Sequence, residues 1–350
     1  MSILTKDELD KTVIEQSVFH IVGPNTAEHF QLLEAFDAGP YAEFFLGRIE
    51  SVVQGNRYAF LADSPVRTQL SRIQASAATF QEESEKLATA FNEAHGGAAA
   101  VGAFLLFSLN CPTGRVFALL KFDDEKVLGY GIKAGASGRP APTFDEIKRN
   151  FVQNRQALQK AALIRLGDDE SGDVISVVDR QNPQRPAAYF EGFLRVKRLH
   201  TEDALTMTLV QLTKTVALKH KDLLPPDALK TLSQRLFDAS QSGGKVDGDR
   251  PEDWMTSIVG PLPDDSPVLK DFRSALKREG MLGESFALKK DAVSPPKNRR
   301  VETVNGVKVV FPVGLQESVV TVDAKKGEIV IRDEITVNDV EIVKASREIA

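Results

Sequence analysis

Five cationic side chains lie close together in a stretch of the chain that contains a single carboxylate. Glu191 is the only acid between Arg180 and His200, so the local balance is +4 on a chain whose net charge is −5. The cations are Arg180, Arg185, Arg195, Lys197 and Arg198. Guanidinium groups bind phosphate oxygens in pairs, ammonium groups act as point charges, and His200 adds charge when it is protonated. The stretch is typical of a phosphate-binding site, and the alternative is a solvated face that protects a strand edge from aggregation.

A second pair of residues has the types needed for metal chemistry. Asp124 and Lys126 follow an apolar run in LLKFDDEKVL. A carboxylate two residues before a lysine is a fragment that metal-dependent nucleases use to hold a divalent ion and activate water. The same fragment is common in solvated turns, which is the interpretation we favour. The sequence has no P-loop, no GxSxG elbow and no HxxxH pair, so we predict no catalytic residue, no metal ligand and no cofactor.

The basic stretch is predicted to lie where a strand leads into a long helix. We expect AYFEGFLRV to form the strand and Thr201 to cap the helix. Leucines then recur with the spacing of one helix face, at Leu205, Leu209 and Leu212. The free N–H groups and the positive pole of that helix would add to the side-chain cations, which we expect to face solvent. The complete set of predicted phosphate-binding residues is Arg180, Arg185, Arg195, Lys197, Arg198, His200, Lys214, Lys219 and Lys221.

The rest of the pattern predicts an α+β fold with mixed, mainly antiparallel sheets and flanking helices. Strands are expected at FFLGRIESVV, RYAFLA, AFLLFSL, RVFALLKF, LQKAALIRL and DVISVVDRQ, and again near the C-terminus. Helices are expected after Ser64 and Thr79 and between Ser266 and Gly280, and a loop leading into a short helix or irregular segment is expected around 144–152. We predict two domains, residues 1–170 and 171–350, with a flexible loop near 243–253.

Composition excludes several classes of protein. With 350 residues, 42% of them hydrophobic and 27% charged, the chain has the make-up of a folded globular protein. No apolar run is long enough to span a membrane and the N-terminus is acidic, so we expect a cytoplasmic protein. The single cysteine, Cys111, excludes an internal disulfide and a cysteine-rich zinc site. Residues 1–100 carry a balance of −7 and residues 101–221 carry +5, which indicates one face for an anionic partner.

Several stretches of the sequence resemble the NdpA-type nucleoid-associated proteins of bacteria. They are FFLGRIESVVQGNRYAFL with the apolar strands that follow it, AAYFEGFLRVKRLHTEDALTMTLVQL, and the closing GVKVVFP and TVDAKKGEIVIRDEI. The resemblance implies an abundant, non-enzymatic protein of the bacterial cytoplasm and nucleoid that binds double-stranded DNA and takes part in chromosome organisation. It also implies a homodimer and contact with DNA topoisomerases, and it assigns Arg195, Lys197 and Arg198 to the basic cluster of the family.

Three functions remain open at this point. The first is an architectural DNA-binding protein that holds phosphates without reading sequence. The second is an adaptor whose acidic face docks a DNA-processing enzyme or a phage-defence component, with DNA contact secondary. The third is a nuclease centred on Asp124 and Lys126. We favour the first, with double-stranded DNA as the partner and no membrane association.

Overall fold

A seven-stranded antiparallel sheet is the largest element of the fold. The computed structural model describes residues 3–24, 29–95, 97, 100–124, 127–134, 140–147, 151, 158–168, 172–323 and 325–336. In chain order the first nine strands are β1 (Val13–Val22), β2 (Asn56–Phe60), β3 (Gly102–Cys111), β4 (Gly114–Asp123), β5 (Val127–Ala134), β6 (Pro140–Ile147), β7 (Leu158–Arg165), β8 (Val174–Asp179) and β9 (Val196–Arg198). The spatial order of the large sheet is β1-β3-β4-β7-β8-β2-β9, and β5 and β6 form a separate hairpin. The α+β prediction with antiparallel sheets is therefore confirmed.

Both faces of this sheet are covered. The helices are α1 (Lys6–Leu9), α2 (Ala42–Glu50), α3 (Pro65–Gln74), α4 (Phe80–Ala94), α5 (Ala188–Leu194), α6 (Glu202–Lys219), α7 (Pro226–Lys230), α8 (Leu232–Gln241), α9 (Glu252–Val259) and α10 (Pro267–Arg278). Phe104 and Leu106 of β3 pack with α3, α4 and α5, while Leu105 and Phe107 point to the opposite face and pack with α2. A strand buried on both sides reads as a continuous apolar run, which explains why β3 and β4 are evident in the sequence.

Helices α6 to α10 form a third core of their own. Leu205 and Leu209 of α6 pack there against Phe272 of α10. The indole N–H of Trp254 donates to the hydroxyl of Thr213 across this core, at 2.8 Å. The leucine spacing of α6 thus predicted the buried side of the helix correctly.

Two predicted strands are helices, and several strands were not predicted. In FFLGRIESVV the buried Phe45 and Ile49 stand four residues apart, which is the period of helix α2 and not of a strand. AYFEGFLRV likewise forms α5, whose buried Phe190, Phe193 and Leu194 follow helical spacing, and only the next three residues form β9. Short apolar runs do not separate buried helix from buried strand by pattern alone.

The region around 144–152 begins in strand β6, and most of its remainder lies outside the described residues. Strands β1 and β5 have no counterpart in the prediction, and β6 begins where a loop was expected.

The compact units of the chain are residues 1–293 and 294–350. The predicted boundary at residue 170 falls between β7 and β8, which are hydrogen-bonded neighbours in the large sheet. The loop near 243–253 contains β10 (Lys245–Val246), which pairs with β11 (Phe286–Ala287). The N–H of Gly248 in this loop also donates to the Ser285 hydroxyl, at 2.8 Å.

The second unit consists of two antiparallel hairpins. Its strands are β12 (Asn298–Glu302) paired with β13 (Lys308–Pro312), and β14 (Val320–Asp323) paired with β15 (Glu328–Ile331). Phe311 and Val320 are its buried apolar side chains within the described range. The predicted C-terminal strands are present, and Gly327 supplies the positive φ of the last turn, at 69°.

His20 is a buried titratable group that links β1 to α4. Its Nδ1 accepts the N–H of Leu33 at 3.0 Å, so Nε2 carries the proton and faces the Ser84 hydroxyl at 3.1 Å. Burial lowers the pKa of His20 to about 4, although Glu85 opposes the shift. The folded protein therefore keeps this ring neutral at pH values where the unfolded chain binds a proton.

We predict that stability falls as the pH drops from about 6.5 to about 4 because of this ring. The depressed pKa corresponds to about 3 kcal/mol of unfolding free energy that is present above the unfolded pKa and lost below it. Between these two pH values the unfolding free energy of His20→Gln should fall by about 3 kcal/mol less than that of wild type. Urea unfolding at both pH values measures the two changes. Equal losses in the two proteins would contradict the prediction.

Candidate nucleic-acid interface

The predicted basic cluster is spread over four successive elements: the loop after β8, helix α5, strand β9 and helix α6. Strand β9 lies at the edge of the large sheet, paired with β2. Their partners divide these cations into buried pairs, surface pairs and cations without a partner among the described residues.

Arg185 and Arg180 lie in the loop that follows β8, and both have acidic partners. The buried Asp179 carboxylate shapes this loop by accepting the N–H groups of Gln181 at 3.0 Å and Ala187 at 2.9 Å. The Arg185 guanidinium binds Glu191 through two hydrogen bonds of 2.8 and 3.1 Å, and that pairing raises the pKa of Arg185. Arg180 lies 3.8 Å from the Asp249 carboxylate.

Arg180 and Asp249 line a cleft of about 290 Å³ between the end of the sheet and the loop near 243–253. Asp247 and Lys245 also line this cleft. The carboxylates in this cleft offset the charge of the cations, so the cleft does not attract a phosphate.

Arg195 ends helix α5. Its φ of 52° is left-handed, and its N–H donates to the Glu191 carbonyl at 2.9 Å. A non-glycine residue in this conformation closes the helix at some cost in strain, which surrounding contacts must offset. Its carbonyl accepts the N–H of Leu61 at 2.8 Å, and its guanidinium pairs with Asp63, which lowers the pKa of that carboxyl.

Arg198 is a structural residue. One of its terminal nitrogens is 2.7 Å from the fully buried Glu284 carboxylate and 2.8 Å from the Ser285 carbonyl, and the other donates to the Gln184 carbonyl at 2.8 Å. The second oxygen of Glu284 accepts the N–H of Arg57 at 2.7 Å. We expected this cation to face solvent, but the structure uses it to hold three segments of chain together.

Asn56 extends the same network. Its amide donates to the Pro183 carbonyl at 2.8 Å, and its oxygen accepts the Ser285 N–H at 2.7 Å. The neighbouring Arg57 is buried and burial lowers its pKa, with Glu284 opposing the shift. The network thus ties strand β2, the loop after β8 and the segment before β11 into one polar junction.

Lys197 is the exposed cation of strand β9. Its side chain makes no hydrogen bond or ion pair within the described part of the chain. His200 is half-buried and also has no side-chain partner there. Lys197 is therefore the cation of the 195–198 group that is available to a polyanion.

The N-terminus of α6 is less suited to phosphate than expected. Thr201 caps it as predicted, since its hydroxyl accepts the N–H of Ala204 at 3.2 Å. Glu202 and Asp203 occupy the first turn, and Glu202 accepts the Ala287 N–H at 3.2 Å and pairs with Lys289 at 2.8 Å. These carboxylates already complement the helix dipole and would repel a phosphate.

The far end of α6 carries a second group of cations. Lys219 and His220 both contact the Asp271 carboxylate of α10, at 2.8 and 3.0 Å, which places the two helices side by side. Lys221 is exposed and Lys214 half-exposed, and neither side chain has a partner among the described residues.

Sequence reasoning missed the basic face of α10. Lys270, Lys277 and Arg278 are exposed and have no side-chain partner within the described ranges, while Arg273 pairs with Glu252. The opposite face of α10 is buried through Val268, Phe272 and other apolar side chains. The signal was present in PVLKDFRSALKR as cations at helical spacing opposite an apolar stripe.

The nuclease hypothesis gains no support from the described residues. Asp124 follows β4, and Lys126 lies outside the described residues. Within the described ranges no three His, Cys, Asp or Glu side chains come together to hold a metal ion. In the same part of the chain, no helix is long and apolar enough to cross a membrane.

Exposed cations without an acidic partner among the described residues lie on a sheet edge and on two helices, an arrangement that favours a polyanionic partner. A family model described as nucleoid-associated protein YejK matches residues 18–338. The chain therefore belongs to this family of nucleoid-associated proteins, and the resemblance seen in the sequence is confirmed. No curated protein matches the chain.

We predict that removing Glu284 destabilises the first unit. Glu284→Ala leaves the half-buried Arg198 cation and the Arg57 N–H without their acceptor, which costs about 3–5 kcal/mol of unfolding free energy. Glu279→Ala, an exposed carboxylate nearby in sequence, should change it by less than about 0.5 kcal/mol. Chemical denaturation measures both.

The double variant Glu284→Ala/Arg198→Met should lose less than the sum of the two single variants, because no uncompensated charge remains. Additive losses would show that the pair is not coupled.

Proposed function

We propose that this protein is a non-catalytic DNA-binding protein of the nucleoid that contacts duplex phosphates without reading sequence. Family membership supports the association with the nucleoid. The observation that carries the phosphate contact is the set of exposed cations that have no acidic partner in the described part of the chain. The members of that set on strand β9, just after α6 and on α10 are Lys197, Lys221, Lys270, Lys277 and Arg278.

These cations are spaced for a polyanion. Lys270 and Lys277 stand two turns apart on α10, about 10 Å along the helix axis. Successive phosphates of one DNA strand advance about 3.4 Å along the duplex, so the pair spans about three of them. Lysine and arginine on a helix face supply charge without a fixed pattern of donors toward base edges, and this favours binding that is independent of sequence.

The acidic remainder of the chain has a role in the same proposal. Residues 1–100 carry a balance of −7 and repel DNA, so they orient the protein with its basic surface toward the duplex. They also offer a surface to a basic protein partner, such as a DNA topoisomerase or another DNA-processing enzyme. The protein acts in the cytoplasm, on the nucleoid, and needs no cofactor.

We predict that the salt dependence of DNA binding reports on these cations. Each phosphate contact contributes about 0.9 to the slope of log affinity against log salt. Lys270→Gln/Lys277→Gln should lower the slope by about 1.8, as should Lys197→Gln/Lys221→Gln, with similar reductions in affinity on duplexes of different sequence. Fluorescence anisotropy over a salt series measures the slopes.

A matched control is Lys6→Gln/Lys11→Gln, which removes the same charge from two exposed positions near the acidic N-terminus. It should leave the slope close to that of wild type. Site variants that change no more than this control would overturn the phosphate assignment, and magnesium-dependent nicking of plasmid by wild type would overturn the non-catalytic one.

We further propose that the protein is a homodimer. Met207 and Leu218 lie on the outer face of α6, opposite its buried stripe, and more than half of each side chain is exposed. Exposed apolar groups aligned on one helix face are typical of a surface that a second copy covers. Lys214 lies on the same face, so we assign it to the edge of this interface.

Static light scattering at micromolar concentration should therefore give twice the chain mass of 38.4 kDa. Met207→Asp/Leu218→Asp should give a monomer with an unchanged circular dichroism spectrum, because these side chains lie outside the core. A wild-type monomer would refute the homodimer while leaving the DNA proposal in place.

A further inference from the structure

The tip of hairpin β12–β13 presents two valines to solvent. Val304 is fully exposed and Val307 is 57% exposed. The turn between them is well defined, since the Thr303 N–H donates to the Val307 carbonyl at 2.9 Å and the Gly306 N–H to the Thr303 carbonyl at 3.0 Å. Gly306 has a φ of 79°, which the turn requires. The apolar tip is thus a fixed feature of the hairpin surface.

Cations line the two strands behind this tip. From Lys297 to Lys308 the chain holds four cations and one acid, a balance of +3. Arg300 and Lys308 are both more than half exposed and stand on either side of Glu302, at 2.6 and 3.8 Å from its oxygens. Arg300 lowers the pKa of Glu302, so this carboxylate stays charged and is shared between the two cations. The hairpin therefore combines a stem of net positive charge with an apolar tip.

We propose that this hairpin is a second DNA contact, an arm that enters the major groove and places Val304 and Val307 against thymine methyl groups. Two paired strands are about 4.8 Å apart, and the major groove, about 12 Å wide, admits such a ribbon. The thymine methyl is the apolar feature of that groove, and small aliphatic groups are its partners. Arg300 and Lys308 then exchange their exposed pairing with Glu302 for phosphates at the edge of the groove.

Charge complementarity favours DNA over another occupant. A protein partner for an apolar tip would not require a cationic stem, whereas a groove lined by phosphates does. Asn305 and Gly306 are small, so the tip is narrow enough to approach base edges. The arm adds a modest preference for A·T pairs to phosphate contacts that themselves do not read sequence, and this inference rests on the proposed function.

The test compares a duplex rich in A·T pairs with the same duplex in which uracil replaces thymine. This replacement removes only the C5 methyl group in the major groove. Wild type should bind the uracil duplex more weakly, by about fourfold for each thymine methyl group that packs against a valine. Val304→Ser/Val307→Ser should bind both duplexes equally, with the salt slope of wild type, because no cation has been removed.

Ile335→Ser is the matched control, because it removes another exposed apolar side chain of the same unit outside the hairpin. It should keep the discrimination between thymine and uracil. Circular dichroism and light scattering check that the double variant keeps its fold and its oligomeric mass.

The proposal is overturned if wild type binds the two duplexes equally, or if the double variant still discriminates between them. A change of oligomeric mass in the double variant would assign the valines to an interface between copies and would also overturn it. In each of these cases wild type still binds DNA with a steep salt dependence. Absence of any salt-dependent binding by wild type would instead remove the proposed function together with the arm.

Discussion

The buried carboxylate of Glu284 holds together the polar junction at the edge of the large sheet. Glu284 is withdrawn from water and accepts hydrogen bonds from the Arg198 guanidinium and the Arg57 backbone, while Asn56 joins the adjacent Ser285 to the loop after β8. A buried charge is tolerated only when it is paired and its remaining lone pairs are satisfied. The chain segments that supply these partners are far apart in sequence, so the ion pair requires that strand β2, strand β9 and the segment before β11 all be in place. It therefore couples the edge of the large sheet to the segment that enters β11.

This requirement assigns some cations of the basic stretch to the stability of the fold instead of to phosphate binding. A cation that stabilises a buried carboxylate is not available to a phosphate, because removing it would leave a charge unpaired in the interior. Arg198 belongs to this structural class, and Arg185 and Arg195 are held by Glu191 and Asp63 at the surface. Surface pairs of that kind contribute little to stability and exchange partners readily, so those two arginines can still respond to DNA. Lys197 alone in the 195–198 group has no competing acid among the described residues.

The helical layer shows how a net negative protein can present a basic surface. In α6 the acids Glu202 and Asp203 are at the N-terminus and Lys219 is at the C-terminus, which follows the helix dipole. In α10 the basic residues Lys277 and Arg278 are likewise in the last turn. Asp271 fixes the C-terminal end of α6 beside the first half of α10, while Lys277 and Arg278 lie about 10 Å further along the axis of α10. The positions of these basic residues thus follow local rules of helix formation.

The sequence by itself determined the α+β class, the buried strands β3 and β4, the cap of α6 and the family. Apolar runs and capping residues can be recognised within a short stretch of chain, and family similarity can be recognised along its length, so none of these needs the tertiary structure. It did not determine that FFLGRIESVV and AYFEGFL are helices, since a short run of apolar residues satisfies a buried strand and a buried helix equally well. It predicted which residues are cationic but not which of them are free. That distinction depends on Glu284, Glu191 and Asp63, which only the tertiary structure brings within hydrogen-bond distance of Arg198, Arg185 and Arg195. Pairing in space, and not charge along the chain, decides which cations are free and which must first leave an acidic partner.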